Sequence, residues 1–284
     1  MTDWRELLSE PGPVRLYAME TGKIHMSGNI HFNHRDPRFK SLPKDNRFNP
    51  VFSFLVDHPS AGLMVLDTGL HADFAQRKTG NFGWLLGGIV KTQVGPGRSS
   101  AEQIQALGAD LNDVRHIFLS HLHLDHPSGL PAFRGNRRVK VHVDPAELAE
   151  ARGAMSLFKG YIKSHLSGFD LEPIRYPERK APFDRVWDFL GDGSVWILAT
   201  PGHTPGHASV LARTVGGPVL LTFDAAHRRD NIDLGVPPKG DWRQGRETVA
   251  AIAAFLKDHP QVKPVFGHDP DQLASLALAP ELLR

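Results

Sequence analysis

The sequence contains no cysteine, and this absence removes several kinds of chemistry from consideration. Disulfide bonds, thiolate nucleophiles, iron–sulfur clusters and every zinc site with a cysteine ligand are excluded. An excess of one charge is also missing, because 33 basic residues face 31 acidic ones and leave a formal net charge of +2. This balance gives no electrostatic reason to expect a nucleic-acid or membrane partner.

Long apolar runs are absent as well. The opening stretch MTDWRELLSEPGP carries acidic residues early and lacks the apolar core of a signal peptide. No window reaches the roughly 18 to 20 apolar residues that a membrane-spanning helix needs. These features predict a cytoplasmic protein.

What the chain does contain is histidine, with 16 residues of this type among 284. Imidazole is the commonest metal ligand in proteins and the usual proton shuttle near neutral pH. With cysteine absent, the composition points to chemistry based on imidazole nitrogen and carboxylate oxygen.

Short apolar runs alternate with segments of helical periodicity, which predicts an α/β layered domain spanning residues 1–284 with helices outside packed sheets. Each run ends near Gly, Pro, Asp or His, as strands do. The predicted strands cover 14–19, 51–57, 63–67, 114–120, 139–143, 194–199, 208–212, 219–223 and 262–266. The predicted helices cover 100–107, 145–151 and 244–256. The stretches at about 28–50, 78–98 and 155–185 lack clear periodicity, and we expect loop or lid segments near a pocket there.

The most informative segment follows the predicted strand 114–120 and reads H-x-H-x-D-H. Residues two apart at a strand end point to the same side, so His121 and His123 can converge on one metal ion. After the chain turns, Asp125 and His126 are placed to bind a second ion nearby. The alternative for any single histidine is a solvated loop residue, but four potential ligands at this spacing favour a metal site.

Three further ligand candidates stand at the ends of other predicted strands. They are His203 after 194–199, Asp224 after 219–223 and His268 after 262–266. Imidazole and carboxylate together suit zinc, manganese, iron or cobalt, and zinc is the usual ion for hydrolysis without redox chemistry. His207 lies four residues after His203, and we expect it to have a structural role rather than to bind a metal.

These motifs resemble those of the metallo-β-lactamase superfamily, whose fold is an αββα sandwich of two packed mixed sheets with helices outside. The resemblance implies that the first metal is held by His121, His123 and His203. It implies that Asp125, His126 and His268 hold the second metal and that Asp224 bridges both. Asp67, in Leu66-Asp67-Thr68-Gly69, would orient a ligand histidine; the alternative is an aspartate that only opens the turn before Gly69.

Two such ions can share a hydroxide and polarise a carbonyl or phosphoryl oxygen, so no protein nucleophile is needed. Asp125 would carry the proton to the leaving group. The double T-P-G-H run from Thr200 and the closing F-G-H-D motif are similar to those of quorum-quenching N-acyl-homoserine lactonases. Those enzymes usually have a tyrosine three residues after the bridging aspartate, where this chain has His227. We expect His227 to donate a hydrogen bond to substrate; the alternative is a surface histidine.

An acyl-binding pocket should be apolar and close to the metals. Its candidate wall residues are Leu124, Met26, Phe82, Trp84 and Phe158. The residues therefore predict a dinuclear zinc hydrolase that acts through a metal-bridging hydroxide, and the resemblance implies that it opens lactones, specifically N-acyl-homoserine lactones. The alternatives are another carboxylic ester or phosphotriester as substrate, or a metal-binding protein without activity. The resemblance also implies that a lid could mediate homodimer contacts.

Overall fold

The computed structural model describes residues 3–26, 30–44 and 46–283. The first of its two sheets is built from strands in the earlier part of the chain. Its strands are β1 (Arg15–His25), β2 (Phe48–His58), β3 (Gly62–Leu66), β4 (Thr92–Gln93), β5 (Val114–Phe118), β6 (Lys140–Val143) and β7 (Leu171–Pro173). Their order is β4-β1-β2-β3-β5-β6-β7. The sheet is mixed, because pairing is antiparallel from β4 to β3 and parallel from β3 to β7.

The second sheet is built from the later part of the chain. Its strands are β8 (Glu178–Lys180), β9 (Phe183–Asp188), β10 (Val195–Ala199), β11 (Ala208–Thr214), β12 (Gly217–Phe223) and β13 (Lys263–Phe266). They lie in the order β13-β12-β11-β10-β9-β8, with β13 parallel to β12 and the other pairs antiparallel. This sheet is therefore mixed as well.

Helices cover the outer faces of both sheets. They are α1 (Trp4–Leu7), α2 (Gly83–Ile89), α3 (Ser100–Ala106), α4 (Pro145–Arg152), α5 (Arg229–Leu234), α6 (Trp242–Asp258) and α7 (Pro270–Leu273). Ser99 begins α3 through a reciprocal capping box with Glu102, and Asp144 caps α4. None of the helices within the described residues is long and apolar enough to cross a membrane.

The core lies between the sheets because each strand alternates its side chains between two faces. Leu16 and Phe54 of the first sheet share one buried cluster with Ile197 and Leu221 of the second. On the outer faces, α3 packs Ile104 against the first sheet, while α6 covers the second sheet. The expected αββα arrangement of two mixed sheets with helices outside is confirmed.

Every predicted strand and helix is present, but the stretches expected to be loops need correction. Residues 171–173 and 178–180 form the edge strands β7 and β8 within the predicted loop 155–185, where β9 also begins, and α2 and β4 form within 78–98. These edge strands are short and half exposed, so they lack the apolar runs that identify central strands. Residues 28, 29 and 45 of the predicted loop 28–50 lie outside the described residues.

Candidate metal centre

Five strands end at one edge of the sandwich, each shortly before a histidine or an aspartate. Strands β3 and β5 are parallel in one sheet and β12 and β13 are parallel in the other, so their carboxyl ends share that edge. The residues that follow β3, β5, β10, β12 and β13 in this way are Asp67, His121, His203, Asp224 and His268. All five side chains are buried, although polar groups of this kind usually face water.

The backbone is unusual at two of these strand ends. Asp67 has φ of 51° and Phe223 has φ of 45°, a left-handed conformation that non-glycine residues seldom adopt. Strain of this kind gathers at functional sites. A side chain at Gly267 would also meet the Asp224 carboxylate, because a Cβ there would lie 2.6 Å from Asp224 Oδ1. Only glycine allows these two segments of the chain to approach this closely.

Asp224 stands at the centre of the cluster, and its two carboxylate oxygens face different imidazoles. Oδ2 lies 3.3 Å from His203 Nε2 and 3.7 Å from His121 Nε2. Oδ1 lies 3.2 Å from His268 Nε2 and 3.5 Å from His126 Nε2. One carboxylate is thus shared between two groups of histidines.

The remaining predicted ligands complete these two groups. His123 Nδ1 lies 2.8 Å from His203 Nε2, and His121, His123 and His203 form one cluster of potential ligand atoms. Asp125 Oδ2 lies 3.6 Å from His268 Nε2, and Asp125 belongs to a second cluster with His126 and His268. The structure therefore brings all seven predicted ligands together.

Hydrogen bonds on the far side of the rings orient three of the imidazoles. His126 Nδ1 donates to Asp67 Oδ2 at 2.6 Å, and His268 Nδ1 donates to the carbonyl of Pro50 at 2.7 Å. His203 Nδ1 donates to the carbonyl of Lys239 at 3.0 Å. Each bond fixes the ring with Nε2 directed at the cluster, and in the neutral ring that nitrogen is free to bind a metal.

Asp67 is fully buried and makes more contacts than a turn-opening aspartate would. Its carboxylate accepts bonds from the Ser120 backbone N–H at 2.7 Å and from Ser120 Oγ at 2.6 Å, besides the bond from His126. It therefore connects the end of β3 with the end of β5 and with a predicted ligand. This geometry supports the orienting role expected for Asp67.

Two observations show that the residues present fit a pair of metal cations. Several buried polar atoms that face the cluster have no hydrogen-bond partner within the described residues, and burying such atoms without a partner is costly. They are Nε2 of His121, His126 and His268, Oδ1 of Asp224 and Oδ2 of Asp125. A metal ion would satisfy each of them.

The electrostatics of the cluster also fit the binding of metal cations. Burial lowers the pKa of His123 to about 4 and that of His203 well below its ordinary value, so both rings are neutral near pH 7 and able to bind a cation. Burial also opposes charge on His126, but the carboxylates of Asp67 and Asp224 raise its pKa well above the ordinary value. The carboxylate side of the cluster thus favours positive charge.

His227 is completely buried, so the interpretation of this residue as a surface histidine is wrong. Its Nε2 lies 3.1 Å from Asp224 Oδ2, and the ring also lines the cavity above the cluster. His207 is buried too, and its Nδ1 lies 2.9 Å from Thr200 Oγ1. It belongs to none of the potential ligand groups, in keeping with the structural role expected for it.

Glu147 on α4 is a residue of the site that the sequence reasoning missed. Its carboxylate is fully buried and accepts the backbone N–H of Leu122 at 3.0 Å and that of Gly206 at 3.1 Å. It also accepts a hydrogen bond from the Tyr161 hydroxyl. Burial raises the pKa of Glu147. Glu147 thereby connects the loop of His121 and His123 with the loop of His203, but a glutamate in a helix gives no sequence signal of this contact.

A cavity of about 560 Å³ opens above the cluster and reaches Asp125, His203, Asp224 and His227. Its apolar lining includes Met26, Leu124 and Phe158, three of the predicted wall residues, together with Tyr161 and Val90. All three stretches without clear periodicity thus border the cavity, since its lining also includes Ile30 from 28–50.

The other two predicted wall residues do not line this cavity. Phe82 is buried behind the wall, where its ring packs edge-on against Phe74 at 4.6 Å between centroids. Trp84 is 85% exposed on α2 and is not among the residues that line the cavity. Phe82 precedes α2 and Trp84 lies in its first turn, and the sequence reasoning did not assign a helix to this stretch.

Comparison with known proteins places this arrangement in a family. The family model of the metallo-beta-lactamase superfamily matches residues 46–258. The chain belongs to the metallo-β-lactamase superfamily. Among its curated relatives, N-acyl homoserine lactonase AttM of Agrobacterium fabrum is 31% identical to this chain over 278 residues. The match covers 94% of this chain and 98% of AttM. An N-acyl homoserine lactonase of a Bacillus species is 30% identical over 241 residues, covering 82% and 87% of the two chains.

Solved structures of the superfamily show the same fold. A mutant of Bacillus thuringiensis AiiA, with N-decanoyl-L-homoserine bound at its active site, superimposes with a TM-score of 0.77 at 23% identity. The match covers 95% of this chain and 98% of that one. AidC, described as a dizinc quorum-quenching lactonase, matches with a TM-score of 0.62 at 16% identity over 92% and 90% of the two chains. These likenesses confirm the metallo-β-lactamase fold.

Proposed function

We propose that this protein is a dinuclear-metal hydrolase that opens the ring of N-acyl-homoserine lactones. The observation that carries the proposal is the position of Asp224, whose two oxygens lie within 3.2–3.7 Å of two separate pairs of imidazoles. A carboxylate shared in this way is suited to bridge two cations. The activity itself is supported by relatives about 30% identical over most of their length that are named N-acyl homoserine lactonases.

The proposed ligand set follows the two clusters. His121, His123 and His203 would hold the first metal, and Asp125, His126 and His268 the second, with Asp224 between them. We propose zinc as the metal at both positions, since imidazole and carboxylate ligands suit it. When bound, two divalent ions supply Lewis acidity toward a carbonyl oxygen and lower the pKa of water.

Two residues of the cavity are placed to act on the substrate. Asp125 lines the cavity and is buried, so its carboxyl can carry a proton to the alkoxide oxygen that leaves when a lactone ring opens. His227 lines the same cavity beside Asp224 and can donate a hydrogen bond to a carbonyl oxygen of the substrate. We therefore propose both as catalytic residues.

The acyl chain of the substrate has a place beside the metal ligands. Met26, Leu124 and Phe158 give one side of the cavity an apolar wall. Burial of apolar surface contributes about 25 cal/mol per Å², so such a wall would favour lactones with longer acyl chains.

The experiment that tests this proposal is a substrate panel for the zinc-loaded protein. It compares homoserine lactones with acyl chains of increasing length against p-nitrophenyl esters and paraoxon. We expect kcat/KM to be highest for acyl-homoserine lactones and to rise with acyl length. The matched variant Leu124→Ser should reduce the dependence on chain length while leaving the metal content unchanged.

Two other results would contradict the proposal in different ways. A preference for paraoxon or simple esters would retain the metal hydrolase but replace the lactone as substrate. Wild-type protein that binds no transition metal in an elemental assay would remove the dinuclear site itself.

A further inference from the structure

Exposed large apolar side chains concentrate beside the opening of the cavity. Within the described residues seven such side chains are exposed, and five of them lie in two short segments, 84–89 and 155–158. They are Trp84, Ile89, Met155, Leu157 and Phe158. Single exposed apolar residues are ordinary, but a cluster of them marks a surface with a binding partner.

The two segments are neighbours in the structure. Val90, which follows α2, and Phe158 line the same cavity. Leu86 of α2 and Ile162 pack against one buried apolar cluster that includes Phe82. We call residues 84–91 and 155–163 the mouth surface. Val90 and Phe158 bring this surface to the cavity, and the described residues leave its large apolar side chains exposed.

The stretches that carry the mouth surface are basic. Residues 74–101 contain four basic and no acidic residues, and residues 151–169 contain three basic and no acidic residues. These are Arg77, Lys78, Lys91, Arg98, Arg152, Lys159 and Lys163. Three of them pair with carboxylates from elsewhere, whereas Lys91 and Lys163 stand exposed on the mouth surface. The near-neutral charge of the whole chain hides this local excess.

We propose that the mouth surface docks on an anionic lipid bilayer. Exposed tryptophan and phenylalanine beside lysines match the boundary between acyl chains and headgroups, where aromatic rings and basic residues are both favoured. Each basic residue near an anionic membrane adds to the attraction, by roughly fivefold in the partition coefficient. Docking there would turn the opening of the cavity toward the lipid.

The charge pattern favours lipid over a second copy of this chain. A twofold contact places the same patch of both subunits together, so two surfaces of the same positive charge would approach each other. An anionic surface matches them instead. Docking goes beyond the proposed hydrolysis and does not depend on it, because binding to vesicles is measured without substrate.

The test is co-sedimentation of the metal-loaded protein with lipid vesicles. Vesicles of phosphatidylcholine containing about 30% phosphatidylserine are compared with phosphatidylcholine alone, at low and high salt. We expect binding to the anionic vesicles that weakens with salt. The double variants Trp84→Ser with Ile89→Ser, and Lys91→Glu with Lys163→Glu, should each reduce the partition coefficient roughly tenfold or more.

The control variant is Val215→Ser with Leu234→Ser, which removes the two exposed apolar side chains outside the mouth surface. It should bind vesicles like the wild type. Failure of the wild type to sediment with anionic vesicles would overturn the proposal, and so would equal loss of binding in the control. A wild-type dimer in solution that the Trp84→Ser, Ile89→Ser variant dissociates, without vesicle binding, would replace lipid by a second copy.

Discussion

Two clusters of buried histidines in this protein differ sharply in what surrounds them. At the strand ends, the imidazoles converge with Asp125 and Asp224, and several of their ring nitrogens have no partner within the described residues. Elsewhere, His116 and His142 meet each other, with His116 Nδ1 3.0 Å from His142 Nε2, and both rings contact the edge or face of Phe189. The first cluster is arranged to take up positive charge, whereas the second is arranged to stay neutral.

The difference shows that burial alone does not make a histidine a ligand. Burial lowers the pKa of His142 to about 4, and the neighbouring His116 and Lys140 lower it further. Burial also lowers the pKa of His116, and the positive charges of Lys140 and Arg115 act in the same direction. At the strand ends burial also opposes charge and is deeper, yet the carboxylates of the cluster raise the pKa of His126 and His268. Carboxylate neighbours, rather than histidine content, distinguish the candidate metal centre.

The largest expected effect comes from removing the shared carboxylate. Asp224→Asn replaces one of the two carboxylate oxygens that face the imidazoles with an amide nitrogen, which donates hydrogen bonds and does not bind a cation. We expect the bound metal to fall below two ions per chain, and lactone hydrolysis to fall by roughly a thousandfold or more. Elemental analysis and steady-state kinetics measure the two effects.

The exposed Asp233 offers a matched control for this change, because Asp233→Asn alters the charge equally but lies outside the cluster. It should retain both metals and full activity. An Asp224→Asn variant that still held two ions and hydrolysed lactones normally would show that the two groups of imidazoles act without the shared carboxylate.

A smaller effect is expected from Asp67→Asn, which leaves every ligand in place but weakens the bond that orients His126. Loss of such an outer contact typically reduces metal affinity 10–100-fold. Competition with a chelator measures the affinity. If the variant melted at a lower temperature with unchanged metal affinity, Asp67 would serve only the turn and the connection to Ser120.

The smallest effect concerns the neutral pair and appears only in acid. Because the pKa of His142 is about 4 in the folded protein and about 6.5 when unfolded, the unfolded chain takes up its proton first. The free energy of unfolding should therefore decrease as the pH falls from about 6.5 to about 4, by up to about 3 kcal/mol. His142→Gln cannot titrate and should remove this part of the loss.

Denaturation curves at several pH values, for proteins with equal metal content, measure this difference. The exposed His34 provides the control, since His34→Gln should leave the pH profile as it is in the wild type. Identical acid profiles for His142→Gln and the wild type would mean that the pair does not stay neutral in the fold.

The sequence predicts the candidate site better than its surroundings. The spacing of the ligand motif predicts that its side chains converge, because a strand end fixes the directions of neighbouring side chains. The motif consists of His121, His123, Asp125 and His126. Apolar runs identify the central strands for a similar local reason. Both features are carried by residues close together in the chain.

What the sequence does not reveal depends on contacts between distant segments. Glu147 looks like an ordinary solvent-facing residue of a helix, and only the fold brings Gly206 to it from 59 positions away. Trp84 and Phe82 are two residues apart and both aromatic, yet one is exposed and the other buried. Which one is buried depends on how α2 packs, and the short Gly-rich sequence of that helix does not determine it.

The Glu147 carboxylate has a dynamic consequence. Because it accepts the backbone N–H groups of Leu122 and Gly206 at the same time, neither of the two loops that carry the first group of histidines can open alone without leaving this buried carboxyl short of a hydrogen-bond partner. Their amide protons should exchange with solvent in a single cooperative event. Tyr161 lines the cavity and is hydrogen-bonded to the same carboxylate. We therefore expect this part of the cavity wall to open together with the two histidine loops.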